Sequence, residues 1–226
     1  MKNLLVLSVF ILLFNSSAKA QDSLRYNELH AIAGANTIGI NVLNHIAHNF
    51  DLPDMGIAIP IGGVGFSYGK KKYAFEWSFS GGGKEKSTKN IQFMADYSSF
   101  TYAYKYCFIN KNKFELRGLA NFNLQFLSVQ IDSIKRISSL LNFSSNNFSK
   151  KYIALGPGIE TVYGIKTQNF SIFYGLRASY NFYLSESKWE KTYKKEFSGF
   201  SDSDPGNLEV SAFIGYRFSY RYKGKI

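Results

Sequence analysis

Four stretches of the sequence alternate between apolar residues and small or polar ones. Aromatic side chains take every odd position of residues 73–79, and apolar residues take the even positions of 114–126, 170–184 and 208–222. Successive side chains of a β-strand point to opposite faces, whereas an amphipathic helix would need a period near 3.6 residues. The pattern therefore predicts four strands, each with one apolar face.

Four further stretches, at about 29–42, 56–69, 91–109 and 151–165, are compatible with strands but less regular. In two of them the apolar positions change from odd to even, after Ile61 at Gly62-Gly63 and after Tyr97 at Ser98-Ser99. One extra residue in a strand, a β-bulge, produces such a change, and we predict a bulge at each place. Two short strands around a loop are the alternative.

The connections between these stretches alternate in length. Residues 69–72, 110–113 and 166–169 are short and rich in Gly, Asn and Lys, as in tight hairpin turns. Residues 43–55, 81–90, 130–150 and 186–206 are long and polar, although Ile134, Ile137 and Leu140-Leu141 fit either a short helix or a strand extension. This alternation predicts an all-β fold, an eight-stranded antiparallel up-and-down barrel with turns at one rim and loops at the other.

The same face assignment predicts the parity of the turns. Paired residues on neighbouring strands must point to the same side of the sheet. The turn at 110–113 then needs an odd number of loop residues, for example 110–112 with Ile109 opposite Lys113. The turns at 69–72 and 166–169 need an even number, two or four.

The volume of the apolar side chains decides whether the apolar faces point into the barrel or out of it. The chain has 21 Phe, 16 Tyr and 2 Trp, and an eight-stranded barrel has room inside for little more than its own side chains. The bulky face must therefore point outward, which gives a transmembrane barrel with a polar lumen and a lipid-facing aromatic exterior. The opposite face carries five acidic and five basic residues, predicted as a mutually paired lumenal charge network: Glu76, Asp96, Lys105, Glu115, Arg117, Glu160, Arg177, Glu209, Arg217 and Arg221.

Tyrosines cluster near the short-turn ends of the predicted strands. Tyrosine prefers the membrane–water interface, although it is also common in strands generally. The sequence therefore predicts one interfacial girdle, made of Tyr68, Tyr73, Tyr104, Tyr106, Tyr163, Tyr216, Tyr220 and Tyr222.

The first twenty residues have the features of a cleaved signal peptide. Lys2 precedes an apolar run at 4–14, and Ala18-Lys19-Ala20 fits a small-residue cleavage site. Removal of 1–20 takes Lys2 and Lys19 from the net charge of +11 and leaves +9 on a single barrel domain, 21–226. Export puts the short turns on the periplasmic side and the long loops outside the cell.

Few residues suggest catalysis or ligand binding. His45 and His48 with Asp51 and Asp54 have no specific metal-ligand spacing, and a Ser–His pair of a lipid-modifying enzyme has no identifiable serine. We therefore predict no catalytic residue, cofactor or metal. We also predict no nucleic-acid partner, because the basic residues form no stripe with stacking aromatics. A lysine cluster in the last long loop fits a solvated loop or contact with lipopolysaccharide: Lys188, Lys191, Lys194 and Lys195.

The eight amphipathic strands and the final strand Ala212-Phe-Ile-Gly-Tyr-Arg-Phe218 resemble the small outer-membrane β-barrel proteins of Gram-negative bacteria, in particular the PorT-like, or porin-like, β-barrel domain. The resemblance implies a monomer in the cell outer membrane. It also implies contact with outer-membrane lipids, lipopolysaccharide, the barrel-assembly machinery and periplasmic chaperones. The terminal aromatic that signals assembly is Phe218, Tyr220 or Tyr222.

This class of barrel leaves three functions open. The expected one is a structural or surface-interaction barrel with a side-chain-filled lumen and exposed loops. A narrow pore for small solutes is the alternative, and a lipid-modifying enzyme is the third.

Overall fold

The computed structural model describes residues 24–49, 51–70, 72–88, 90–111, 113–137, 140–166, 170–186, 188–191, 195–197 and 205–221. The predicted signal peptide, 1–20, lies outside the described residues. The elements in chain order are β1 (Leu24–Asn36), α1 (Ile40–Asn49), β2 (Ile59–Lys70), β3 (Tyr73–Ser87), β4 (Ile91–Lys111), β5 (Phe114–Ile137), β6 (Leu140–Lys166), β7 (Ser171–Glu186), β8 (Trp189–Lys191), β9 (Lys195–Phe197) and β10 (Gly206–Arg221).

The strands form one antiparallel sheet that closes on itself. The sheet has ten strands in the order β5-β4-β3-β2-β1-β10-β7-β6-β8-β9, and β5 also pairs with β6. Leaving out the short β8 and β9, which extend the sheet from β6, eight strands make the closed ring. Neighbours in the chain are neighbours in the ring, which confirms the predicted up-and-down barrel.

Two predicted long loops are mostly strand. Residues 81–87 continue β3, and β5 and β6 pair from the barrel wall out to Ile137 opposite Leu140. The segment around Ile134 is therefore the strand extension, not a helix. A β-strand crosses a bilayer in about 9–11 residues, whereas β5 has 24 residues and β6 has 27. These strands are more than twice as long as a bilayer crossing requires.

The first long connection contains the helix that the sequence pattern did not predict. The predicted strand at 29–42 is two elements, β1 and then α1, joined by a turn at 38–39. The Asn36 side chain accepts a hydrogen bond from the Ile38 amide at 2.8 Å, which turns the chain inward at the end of β1. No helix among the described residues is long and apolar enough to cross a membrane.

Two of the three predicted turn parities are confirmed. Lys70 pairs with Tyr73, which leaves two loop residues, and Lys166 pairs with Ser171, which leaves four. The third prediction is wrong, because Lys111 pairs with Phe114 and leaves two loop residues instead of an odd number. A bulge between Cys107 and Ile109 shifts the register by one residue. From Cys107 away from the turn, the paired residues of β4 and β5 therefore point to the sides that the sequence predicts.

The bulges predicted at Gly62-Gly63 and Ser98-Ser99 are not present. The pairing of β2 and β4 with their neighbours runs without a shift through both positions. Ile59, Ile61 and Tyr97 point into the barrel, and Val64 and Phe100 point out. The strands continue regularly, and the apolar residues move from the outer face to the inner face.

Candidate functional site

The barrel interior next to the short turns is filled by ion pairs. Arg117 donates to both oxygens of Glu28, at 2.8 and 3.1 Å, and to Glu115 at 2.9 Å. Arg217 donates to the same two carboxylates, to Glu28 at 2.8 Å and to Glu115 at 2.5 and 3.0 Å. Two guanidinium groups and two carboxylates thus form one closed cluster.

A second cluster lies directly behind the first. Arg177 donates to both oxygens of Glu76, at 2.7 and 2.9 Å, and to Glu160 at 2.6 and 3.0 Å. The Lys105 ammonium lies 2.5 Å from Glu76 and 3.1 Å from Glu160. A bond from Arg117 to Glu160, at 3.1 Å, joins the two clusters.

Together the two clusters contain four carboxylates and four cations, so the formal charges cancel. Most of these side chains have almost no solvent exposure; Arg217 and Glu115 keep about 15%. Removing buried charges from water is costly unless each is paired and hydrogen-bonded. Seven ring strands contribute a charged residue, and β2 contributes Ser67, which donates to Glu76 at 3.2 Å. The network therefore ties the whole ring together across the lumen.

Seven of the ten predicted lumenal residues belong to this network: Glu76, Lys105, Glu115, Arg117, Glu160, Arg177 and Arg217. Glu209 points inward but lies further along the barrel, where it accepts a bond from Asn36 at 3.0 Å. The prediction for Asp96 is wrong, because this side chain is exposed on the outer face of β4. Asp96 follows the regular alternation of β4, whereas the bulge predicted at Ser98-Ser99 would have turned its side chain into the barrel. The side chain of Arg221 lies outside the described residues.

The sequence patterns missed two members of the interior. Glu28 is fully buried between Arg117 and Arg217, and His30 lies 3.3 Å from Glu76. Both flank the lipid-facing Leu29 and therefore point to the opposite face, into the barrel. The predicted strand, 29–42, contains His30 but starts one residue after Glu28, and an earlier start would have identified Glu28.

A layer of amides and hydroxyls follows the charges toward the end of the barrel opposite the short turns, which we call the outer end. Asn123 donates to Asn181 at 2.8 Å and accepts a bond from Thr101 at 2.5 Å. Asn36 donates to Tyr97 at 3.1 Å and accepts from Asn207 at 2.8 Å. These bonds join β1, β4, β5, β7 and β10 and form the floor beneath α1.

The outer part of the interior is apolar, contrary to the predicted polar lumen. The α1 side chains Leu43, Ile46 and Ala47 are fully buried against inward-facing residues of the wall, among them Phe93, Leu127, Val129 and Tyr152. Asn44 fastens the chain that follows the helix, accepting a bond from the Met55 amide at 2.7 Å and donating to the Gly56 carbonyl at 3.0 Å. Gly56 has a φ of 84°, which favours glycine. The helix is thus held as an apolar plug.

At the same level of the barrel, the outward-facing residues of the wall change from apolar to polar. Along β5 the outward residues are Phe122, Leu124 and Phe126, and then Ser128, Gln130 and Asp132. Along β4 they change from Phe100 to Ser98 and Asp96, and Ser98 pairs with Phe126. The wall therefore has an apolar outer face and charges inside over one part, and a polar outer face and an apolar core inside over the next.

Below this change the exterior is apolar and largely aromatic. Trp77, Phe79, Leu176, Phe182, Ile214 and Phe218 are between 41% and 63% exposed, which a soluble protein does not tolerate as one continuous surface. Tyr163, Tyr174 and Tyr216 are exposed toward the short turns, as expected of an interfacial girdle. Tyr220 and Tyr222 lie outside the described side chains.

The histidines and lysines that the sequence suggested as possible ligand-binding residues lie at the outer end. His45 and His48 are on the exposed side of α1, and the described residues hold no group of three or more metal-ligating side chains. Lys188 is exposed, and Lys191 pairs with Lys195 across β8 and β9, while Lys194 lies outside the described residues.

A closed antiparallel ring of eight strands with a lipid-facing exterior and a charged interior defines an integral outer-membrane β-barrel protein. No family model and no curated protein matches the sequence. Solved structures of the same class match the fold over nearly their whole length. A major outer membrane protein from Thermus thermophilus has a TM-score of 0.51 at 10% identity, covering 87% of this chain and 99% of that chain.

Two other solved structures match with lower scores. Neisserial surface protein A has a TM-score of 0.46 at 14% identity, covering 88% of this chain and all of its own. Ail, the attachment invasion locus protein of Yersinia pestis, has a TM-score of 0.40 at 13% identity, covering 89% of this chain and all of its own.

Proposed function

We propose that this protein is a non-conducting outer-membrane barrel of structural or surface-interaction type. The closed interior is the observation that supports this function. Ion pairs fill the lumen at one level, and α1 fills it with apolar side chains at another. A narrow pore, the alternative function, would need a continuous aqueous path through both levels.

The projecting wall supplies the surface for interaction. Strands β5 and β6 exceed the about 11 residues of a membrane crossing by roughly 13 or more, which at ~3.4 Å per residue and a tilt of ~40° is about 34 Å. Their outward residues there are polar, including Gln130 and Asp132, which bond to each other at 2.8 Å. We propose that this part stands in water outside the cell and makes the contacts of the protein.

Lipopolysaccharide is the proposed contact beside this wall. The β8 segment is anchored by Trp189, which is buried in the apolar layer, and the Lys150 ammonium lies 6.0 Å from its ring centre. Exposed Lys188 and Lys151 lie on the same segment and on the strand that it joins. Lysines at this level would meet the anionic phosphates of the outer leaflet.

Binding of fluorescent lipopolysaccharide to the detergent-purified protein tests this contact. Neutralising Lys188→Gln/Lys191→Gln should weaken binding by about fivefold for each lysine near the anionic surface. The matched control is Lys188→Arg/Lys191→Arg, which keeps both positive charges and should leave binding unchanged. Equal loss in both variants, or no loss in either, would contradict the contact.

The narrower PorT-like assignment belongs to the same proposal, supported by the closed ring of eight strands and the aromatic final strand. Assembly by the barrel machinery with periplasmic chaperones, and a monomeric state, are proposed with it. Phe218 is outward and exposed on β10, which makes it the described candidate for the assembly signal.

A further inference from the structure

A groove crosses the lipid-facing surface on the short-turn side of the barrel. It has a volume of about 240 Å³ and lies over β4, β5 and β6, lined by Tyr104, Tyr106, Phe108, Gly118, Ala120 and Ile159. Small outward residues of β5 form its floor. A side chain at Gly118 would meet the Phe108 ring, which lies across that position.

The aromatic wall of the groove is held in place by its neighbours. Tyr106 contacts the Phe108 ring edge-on, with centroids 5.0 Å apart, and lies 5.2 Å from the Tyr73 ring. Tyr73 also lies 6.1 Å from Tyr104. The groove is therefore a preformed depression in the lipid-facing surface.

Lysines surround the end of the groove that faces the turns. Lys111 and Lys113 are exposed three and five residues beyond Phe108 in the chain, and Lys72 is brought alongside by a bond from the Cys107 amide to its carbonyl at 2.8 Å. Residues 69–73 and 108–114 contain no Asp or Glu. Glu115 points inward and is engaged by Arg117 and Arg217.

The separation of the groove and the lysines matches one leaflet. Ala120 on β5 and Lys113, in the turn just before β5, are seven residues apart, which at ~3.4 Å per residue and ~40° tilt is about 18 Å along the membrane normal. Half of the hydrocarbon core is ~15 Å thick. A chain lying in the groove would therefore have its headgroup at the level of the lysines.

From this arrangement we infer that the groove binds one acyl chain of an anionic glycerophospholipid, whose phosphate is held by Lys111 and Lys113. The apolar groove takes the chain, and the lysines select a net negative headgroup over a zwitterionic one. The inference requires the membrane-spanning barrel and is independent of what the outer end contacts.

Native mass spectrometry of the full-length protein, released from detergent with equal amounts of phosphatidylglycerol and phosphatidylcholine of identical chains, tests the inference. The wild type should retain one phosphatidylglycerol in preference to phosphatidylcholine. Lys111→Gln/Lys113→Gln should reduce that preference by about fivefold per lysine while still retaining phosphatidylcholine. Lys151→Gln, at the opposite end, should keep the full preference.

Filling the groove separates the chain from the headgroup. Ala120→Phe should remove retention of both lipids, while Ala31→Phe, at an exposed lipid-facing alanine on β1 outside the groove, should not. Equal retention of both lipids by the wild type would overturn the anionic selectivity. Identical retention by Ala120→Phe and Ala31→Phe would overturn the groove, and neither result would affect lipopolysaccharide binding at the outer end.

Discussion

Arg177 lies inside the barrel with its guanidinium group shared between Glu76 and Glu160. Lys105 contacts the same two carboxylates, so each charge in this cluster has more than one partner. Such a cluster is balanced as a whole and sensitive to the loss of any member, because a buried charge left without its partner keeps its full desolvation cost.

Replacing Arg177 should therefore destabilise the barrel. We expect Arg177→Leu to lower the free energy of unfolding by about 3–5 kcal/mol, measured by urea unfolding in lipid vesicles. Adding Glu76→Gln should recover part of this loss, because it removes the single carboxylate charge left in excess. A loss below about 1 kcal/mol would place Arg177 in water instead of in a closed interior.

The adjacent residue tests the other face. Leu176 is 63% exposed on the exterior, and Leu176→Arg should cost ~2–4 kcal/mol near the bilayer midplane. Leu176→Phe is the matched control and should be close to neutral in the same vesicles. A wild-type protein that stayed folded and monomeric in buffer without detergent would contradict the lipid-facing assignment.

Along several strands, a segment with an apolar outer face is followed by a segment with a polar outer face. Gly62, Gly81, Ser98 and Phe126 are paired in sequence across β2, β3, β4 and β5, and near this row the apolar side chains pass from the outer face to the inner face. Neighbouring strands change together, as expected where the wall leaves the hydrocarbon and begins to enclose a core of its own.

Two positions on one face of β5 test this boundary. Phe126 and Gln130 are four residues apart, and both point outward. Phe126→Arg should lower stability by up to ~2–4 kcal/mol, depending on depth, whereas Gln130→Arg should change it by less than about 0.5 kcal/mol. Urea unfolding in vesicles measures both, and equal costs would mean that the membrane extends past Gln130.

Alternation in the sequence was sufficient to predict the ring, its strand order and the faces of the regular strands. Alternation could not distinguish a β-bulge from a regular strand whose apolar residues move from the outer face to the inner face of the barrel. Both change the apolar positions from odd to even or the reverse, as between Ile61 and Val64. The alternation of β5 contains the useful signal: after Phe126 the apolar residues become Leu127, Val129 and Ile131, with no glycine to suggest a bulge. The long-range pairs, such as Glu28 with Arg117, depend on which strands face each other across the lumen, and local spacing carries no information on that.

Two separate layers of buried side chains lie inside the described part of the barrel. The plug packs through Leu43 and Ile46, whereas the ion pairs lie beyond the amide layer. We expect Leu43→Asp/Ile46→Asp to release α1, because two buried carboxylates cannot be paired in the apolar layer. Limited proteolysis of vesicles carrying the outward-facing barrel should then cut near α1 in this variant and spare the wild type, while both remain electrically silent.

Single-channel recording of the wild type in planar bilayers is the most direct test of a closed barrel. The recording uses protein whose insertion has been verified by protease protection in vesicles of the same lipid. The ion pairs around Arg117 and Arg177 and the apolar layer around α1 predict no unitary conductance steps, even in molar salt. Reproducible steps from the inserted protein would contradict the closed interior and would make the barrel a narrow pore.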